Sequence, residues 1–204
     1  DLGGSEEVQA AFEESQRMAQ EAGYPGIRFI ALHDHDSKPQ AERLLSEGYH
    51  GATNYHEWGE APHLGESPNR MTFEDLVRTV SETWRKRDLE CGNLQYYPVI
   101  DTGWDARPWH GRKAQVIQGR TPDHFERLLR EARLYCEEHE KRFAVLGPVN
   151  EWGEGSYIEP CVEFGFEMYE RIRKVFAISE PANWPLNLGP SDVGLGPYDF
   201  TEFQ

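Results

Sequence analysis

Apolar and polar positions change period several times along the chain, and each change marks an element. Residues 5–21 (SEEVQAAFEESQRMAQE) carry the pattern of an amphipathic helix. Glu6 and Glu7 make its first turn acidic, which suits the positive end of the helix dipole, and Gly23 supplies a stop. Residues 26–32 (GIRFIAL) form a short apolar run that predicts a strand, and 39–46 predict a short helix ending near Gly48. Residues 49–55 (YHGATNY) predict a second strand, and 59–70, with charged side chains and prolines, a loop. A long helix is expected over 72–88, because Thr72 followed by Asp75 is a capping pattern. Residues 94–100 predict a third strand, and 101–119 a long polar and aromatic loop. Thr121-Pro122 opens a helix over 123–139, with Thr as cap and Pro at the first position. A fourth strand is expected at 142–146 (RFAVL) and a last helix at 162–177. The tail from Pro181 is rich in Pro, Gly and Asn.

The resulting rhythm is one helix, then four strand–helix units, which argues for a parallel sheet with crossover helices. Polar clusters fall just after each strand: His33 to Asp36, Asn54 to Trp58, Asp101 to Arg107, and Asn150 to Glu154. A (β/α)8 barrel keeps its chemistry at that end of every strand, whereas a doubly wound sheet does so only near its switch point. Four consecutive polar strand ends fit the barrel better. A full barrel takes about 250 residues, so this chain of 204 is expected to supply one catalytic barrel domain, roughly its C-terminal half. The N-terminal half is then expected as another chain or as a cleaved segment.

Charge narrows the partners. The formal net charge is -15, from 36 acidic against 21 basic residues. Such a surface repels a phosphate backbone and anionic lipid, so nucleic acid is an unexpected partner. No apolar run has membrane-spanning length. A neutral glycan meets no such penalty, and six Trp and nine Tyr offer faces for sugar rings. The three cysteines lie far apart with no CxxC pair, which removes a cysteine-ligated zinc site. They fix no compartment: a periplasmic, secreted or cytoplasmic location all remain open.

The segment Asn150-Glu151-Trp152-Gly153-Glu154-Gly155 carries the clearest chemistry. Glycosidic bonds are usually cleaved by two carboxyl groups, one protonating the leaving oxygen and the other acting as base or nucleophile. A turn just past a strand would let Glu151 and Glu154 face one cleft. Trp152 would lower the local polarity, which favours the protonated form of the less solvated carboxyl, and Gly153 and Gly155 permit a tight backbone path. The competing reading is a surface loop on an acidic protein. His56-Glu57-Trp58-Gly59-Glu60 partly echoes the pattern, and Asn54, Tyr55 and His56 are the site candidates there because they lie closer to the strand. In the loop from Asp101 to Trp109, Asp101, Asp105 and Arg107 can hold vicinal hydroxyls, and Trp104 or Trp109 can stack on a ring. The competing reading there is a self-satisfied Asp105–Arg107 pair beside a buried Trp. Asn150 and Trp152 complete the substrate-binding candidates. His33 and His35 alternate on an extended segment and could pair on a metal, but no third ligand is identified by spacing. A hydrogen-bonding role is preferred for them, and no metal or cofactor is expected.

With these residues in view, the sequence resembles the glycoside hydrolase family 99 endo-α-mannosidases and, more closely, their bacterial WbsX-like relatives. The matching stretches are NEWGEGSYIEP (150–160) and GWDARP (103–108), with DVGLGPYD near the end a further candidate. The resemblance implies a (β/α)8 barrel and a retaining glycoside hydrolase acting on an α-linked oligo- or polysaccharide. It assigns Glu151 as the base on the sugar 2-hydroxyl, through a 1,2-anhydro intermediate, and Glu154 as the acid. The mannosidases carry His where this chain has Gly153, a change expected to open space at the cleft floor. The alternative is a non-catalytic carbohydrate-binding or polysaccharide-biosynthesis accessory protein.

Overall fold

The computed structural model describes residues 4–32, 38–58, 70–179 and 192. The segment His33 to Asp36 and the stretch from Gly59 to Glu66 lie outside the described residues, as does nearly all of the tail, including the final DVGLGPYD apart from Asp192.

The backbone of the architecture is a set of short parallel strands laid side by side in sequence order. Strand β1 (Ile30–Leu32) pairs with β2 (Gly51–Thr53), and β2 pairs with β4 (Gln95–Tyr96). β5 (Val99–Asp101) pairs with β7 (Val145–Gly147). β4 and β5 belong to one extended segment that passes its pairing from one neighbour to the next at Pro98. Tyr97 N–H still donates to Ala52 O at 2.9 Å, while Pro98 O accepts from Val145 N–H at 2.9 Å. β4 and β5 fall at the expected 94–100, ending one residue beyond it, while β7 begins three residues later than the expected 142–146.

Helices α1 (Ser5–Glu21), α2 (Lys38–Glu47), α3 (Phe73–Cys91), α5 (Pro122–Glu138) and α6 (Glu167–Phe176) pack each against the next in chain order. Monotonic order in both strands and helices is the arrangement of consecutive βα units wound in one direction, and it lacks the reversal that defines a doubly wound sheet. The buried face of α3 (Phe73, Leu76, Val77, Val80, Trp84) and that of α5 (Phe125, Leu128, Leu129, Ala132, Tyr135) recur at helical spacing and meet over β5. Trp84 Nε1–H donates to Val99 O at 3.2 Å, and Tyr135 O–H donates to Trp84 O at 3.1 Å, so these two large core side chains satisfy their polar atoms. Both helices begin as the sequence predicts. Thr72 accepts from Asp75 N–H at 3.0 Å, and Thr121 accepts from His124 N–H at 3.1 Å ahead of Pro122.

Several elements depart from the sequence reading. The expected loop 101–119 contains a helical turn, α4 (Arg107–His110), and a strand, β6 (Val116–Gln118). β6 pairs in parallel with β3 (Arg70–Thr72). β3 runs straight into α3, and β6 precedes α5 by three residues. The last helix begins at Glu167 rather than 162, because 161–166 form a turn closed by Gly165 N–H to Cys161 O at 2.7 Å. Among the described residues β1 and β7 are each paired on one side alone. None of the three cysteines forms a disulfide, and no helix of the described residues is long and apolar enough to cross a membrane.

Candidate active site

The Asn150–Gly155 segment folds as a miniature hairpin. β8 (Asn150–Glu151) and β9 (Ser156–Tyr157) are antiparallel, and a single 3-10 turn over Trp152–Glu154 joins them. The turn closes on Gly155, whose φ of +67° is left-handed. A Cβ there would lie 2.8 Å from Asp105 Cβ. That close approach lets Asp105 N–H donate to Glu154 O at 2.6 Å, docking the 101–109 loop on the turn. Glycine at 155 is therefore required twice, by its dihedral and by its neighbour.

Arg120 holds the same turn from the other side. Its Nη1 donates to the carbonyls of Thr102, Gly155 (3.2 Å) and Tyr157 (2.9 Å). The guanidinium lies over the Tyr157 ring at 4.3 Å from its centroid. Burial lowers the Arg120 pKa from its ordinary value. Ser156 Oγ donates to Gly103 O, and Thr102 Oγ1 donates to Pro148 O at 2.6 Å. The end of β5 and the motif hairpin are thus tied by side chains as well as backbone. Sequence reasoning missed Arg120, which looks like an ordinary loop cation before a helix cap.

The structure brings Tyr55 to the motif. Its hydroxyl donates to Glu151 Oε2, across 96 positions of sequence. The Tyr55 pKa is pushed up to about 12, first by that bond and then by partial burial and the charges of Glu151, Glu154 and Asp101. Three carboxylates therefore converge around one phenol at the ends of β2, β5 and β7. Glu151 and Glu154 are both partly buried. His56 Nδ1 lies 2.8 Å from Asp101 Oδ2, and the other Asp101 oxygen accepts from Gly103 N–H at 2.8 Å.

The remaining candidates divide. Asn54 is buried and donates to Glu57 Oε2 at 2.8 Å. Glu57 is itself buried against Arg87 of α3, at 2.9 Å. The second Glu motif therefore ties a strand end to a helix. Asp105 and Arg107 pair with each other at 2.5–3.0 Å, the self-satisfied arrangement weighed above. Trp104 packs half-buried against His56 and Trp58, with centroids 4.7 and 5.1 Å away. Asn150 is exposed, and Trp152 stacks on Tyr157 at 4.0 Å while donating to Glu159 Oε2 at 2.8 Å. Gly153 does not leave the space expected of it. A Cβ there would lie 3.1 Å from Trp109 Cζ2, because the Trp109 indole covers that face of the turn. Among the described residues no group of three His, Cys, Asp or Glu is placed to hold a metal ion.

Parallel strands in sequence order, with polar clusters gathered at their C-terminal ends, resemble part of a TIM-barrel-like fold. A solved structure titled "Glycoside hydrolase-like protein" superimposes with a TM-score of 0.59 at 15% identity, covering 84% of this chain and 50% of that one. The chain belongs to the family described as glycosyltransferase WbsX, whose profile matches residues 4–172. An uncharacterized protein WxcX from Xanthomonas campestris pv. campestris (strain B100) is 27% identical over 99 residues, 45% of this chain and 14% of that protein. The GH99 endo-alpha-mannosidase from Bacteroides thetaiotaomicron, in complex with Bis-Tris propane, overlaps 84% of this chain and 52% of its own at 16% identity, with a TM-score of 0.49. This chain thus spans half the length of the solved structure it matches and a small part of its curated relative.

Proposed function

We propose that this chain carries the catalytic carboxylates of a glycoside hydrolase that cleaves an α-linked oligo- or polysaccharide with retention. The observation that carries the reading is the Tyr55 bond to Glu151, with Glu154 three residues on in the same anchored turn. Glu151 takes the proton from the sugar 2-hydroxyl as that oxygen attacks C1. The C1–O bond to the leaving sugar breaks, and Glu154 gives that oxygen its proton. Water then opens the 1,2-anhydro ring at C1. Glu154 accepts the water's proton and Glu151 returns one to the 2-oxygen, so both carboxyls end as they began. Asn150, Asp105, Arg107, Trp104 and Trp152 border this cleft as binding side chains, and Asn54 and Asp101 support it from beneath.

The test compares Glu154→Gln with Glu151→Gln in the full-length protein, on a natural linkage and on an activated aryl glycoside. An activated leaving group needs little protonation, so Glu154→Gln recovers much of its rate on the aryl substrate while Glu151→Gln stays slow on both. Full activity in both variants removes the hydrolase reading. Glycan binding that survives loss of both carboxylates, with no product from the unmodified protein, favours an accessory binding role. The family description favours a second reading, transfer of a sugar to a glycan hydroxyl in place of water. Labelled sugar appearing on an acceptor glycan, with no reducing ends released, selects it.

The same reading makes the four βα units the C-terminal half of a (β/α)8 barrel, whose other half covers the open edges of β1 and β7. A groove of about 790 Å³ lies beside β7, lined by Leu146, Ile172, Phe176 and Ile178. Amide exchange on the full-length protein should show β7 protected on both sides; an unprotected outer edge removes the barrel assignment.

A further inference from the structure

The cluster beneath Tyr55 holds two buried polar atoms with no hydrogen-bond partner among the described residues: His56 Nε2 and Trp58 Nε1. Buried polar atoms are nearly always satisfied, so two orphans on neighbouring rings call for an explanation. They share one aromatic group. The His56 and Trp58 ring centroids are 5.3 Å apart, and Trp104 meets both at 4.7 and 5.1 Å. Asp101, 1% exposed, sets the character of the histidine. Where Asp101 Oδ2 is the acceptor of the 2.8 Å bond, His56 Nδ1 is its donor and carries the proton. In neutral imidazole that leaves Nε2 as an acceptor. Trp58 Nε1–H is a donor only.

We propose that His56 Nε2 and Trp58 Nε1–H together bind one hydroxyl group of the sugar unit beside Glu151, with Asp101 as the residue that positions His56. An empty acceptor and an empty donor on neighbouring rings are the complement of a hydroxyl, which donates once and accepts. A phosphate or carboxylate would use only the tryptophan, and an ammonium only the histidine. The location agrees with this chemistry. The His56 ring meets the Tyr55 ring edge-on at 4.5 Å, and the Tyr55 hydroxyl bonds Glu151. The three aromatic faces supply apolar walls for the C–H surface of a ring. The hydroxyl is a recognition group separate from the reacting bond. The inference rests on the reading of Glu151 and Glu154 as a glycan site.

The experiment measures binding of the methyl α-glycosides of mannose, glucose, galactose and rhamnose, with their monodeoxy derivatives, to the full-length protein, Trp58→Phe, and the Glu151→Gln/Glu154→Gln double variant. Trp58→Phe keeps the ring and removes the donor. It should weaken the preferred glycoside about fivefold to tenfold, as loss of one uncharged hydrogen bond does. One monodeoxy derivative should bind the unmodified protein and Trp58→Phe equally. The 15N resonance of His56 Nε2, followed in the unmodified protein, should move on binding and keeps the test independent of how the variant folds. Binding that is lost in the double variant but unchanged in Trp58→Phe, with a still His56 resonance, overturns this inference and leaves the glycan site standing. That result makes the pair the seat of a buried water. No glycoside binding at all overturns both.

Discussion

Arg120 is a single side chain on which the motif turn depends, and its removal has a magnitude that follows from its contacts. Arg120→Met keeps the apolar stem and deletes the guanidinium. Three carbonyl acceptors, those of Thr102, Gly155 and Tyr157, lose their donor. Each such bond contributes about 1 kcal/mol net, and more where the acceptor is left buried. The face-on contact with Tyr157 at 4.3 Å adds about 1 kcal/mol. Part of this is returned because a charge no longer has to be buried, an effect already visible in the lowered Arg120 pKa. The net loss is about 2–4 kcal/mol. Denaturant unfolding of full-length protein measures it, and amide exchange locates it. Exchange should quicken at 152–157 first, and on the proposed function the glycan-cleaving rate should fall with it. Arg120→Lys keeps the charge but not the fork of donors, so it should recover less than half of the loss. A change under about 0.5 kcal/mol, with unaltered exchange at these amides, would refute the view that this residue holds the turn.

Gly51→Ala places a Cβ 2.5 Å from Tyr97 Cε2 and 2.7 Å from the Gln95 backbone oxygen, so it should lower the thermal midpoint by the equivalent of about 1–3 kcal/mol, read by calorimetry. Glu126 is held down at about 2, chiefly by its bond to Lys174 and then by Arg130 and Arg171. Its unfolded-state pKa, ordinarily 4.5, is higher, so the α5–α6 tie is fully present above about 4.5 and lost as pH falls toward 2. After solvent screening this amounts to about 1–2 kcal/mol, and Glu126→Gln should flatten that part of the acid-unfolding curve. Trp109 is 67% exposed over Gly153, so Trp109→Ala should leave stability unchanged and weaken glycan binding about tenfold, measured by calorimetric titration.

Elements that announce themselves locally were legible from sequence. Thr72 with Asp75, and Thr121 with Pro122, carry their own hydrogen-bonding logic, and the structure uses both. Within the apolar runs at 26–32 and 94–100, strands form at Ile30–Leu32, Gln95–Tyr96 and from Val99 onward. What stayed hidden depends on partners far away. β6 is three residues within a polar loop, and it exists because Arg70–Thr72 lies alongside. β8 and β9 are two residues each, too short for any period to show. His56 and Asp101 were each picked out as site residues, but nothing local indicated that they would face each other across 45 positions. Glu57 looked like half of a second catalytic motif, until Arg87 of α3 claimed it.

These cases share a cause that bears on the site itself. A motif of six residues specifies its own turn, but its carboxylates acquire chemical character from neighbouring strands. Tyr55 arrives from the end of β2, Asp101 from the end of β5, and the turn follows β7. Parallel strands in sequence order place those ends next to one another, so Tyr55 reaches Glu151 without any local signal in either segment. The same logic reverses the expectation at Gly153. A glycine in place of a larger side chain reads as added space when the motif is considered alone. In the folded chain the space belongs to Trp109, supplied by the loop after β5 and set in place by the Asp105 bond to Glu154 O. The missing side chain at Gly153 is therefore matched by the face of Trp109, and on the proposed function this pair together would shape the cleft. Enlarging residue 153 alone should displace the indole rather than recreate a mannosidase floor.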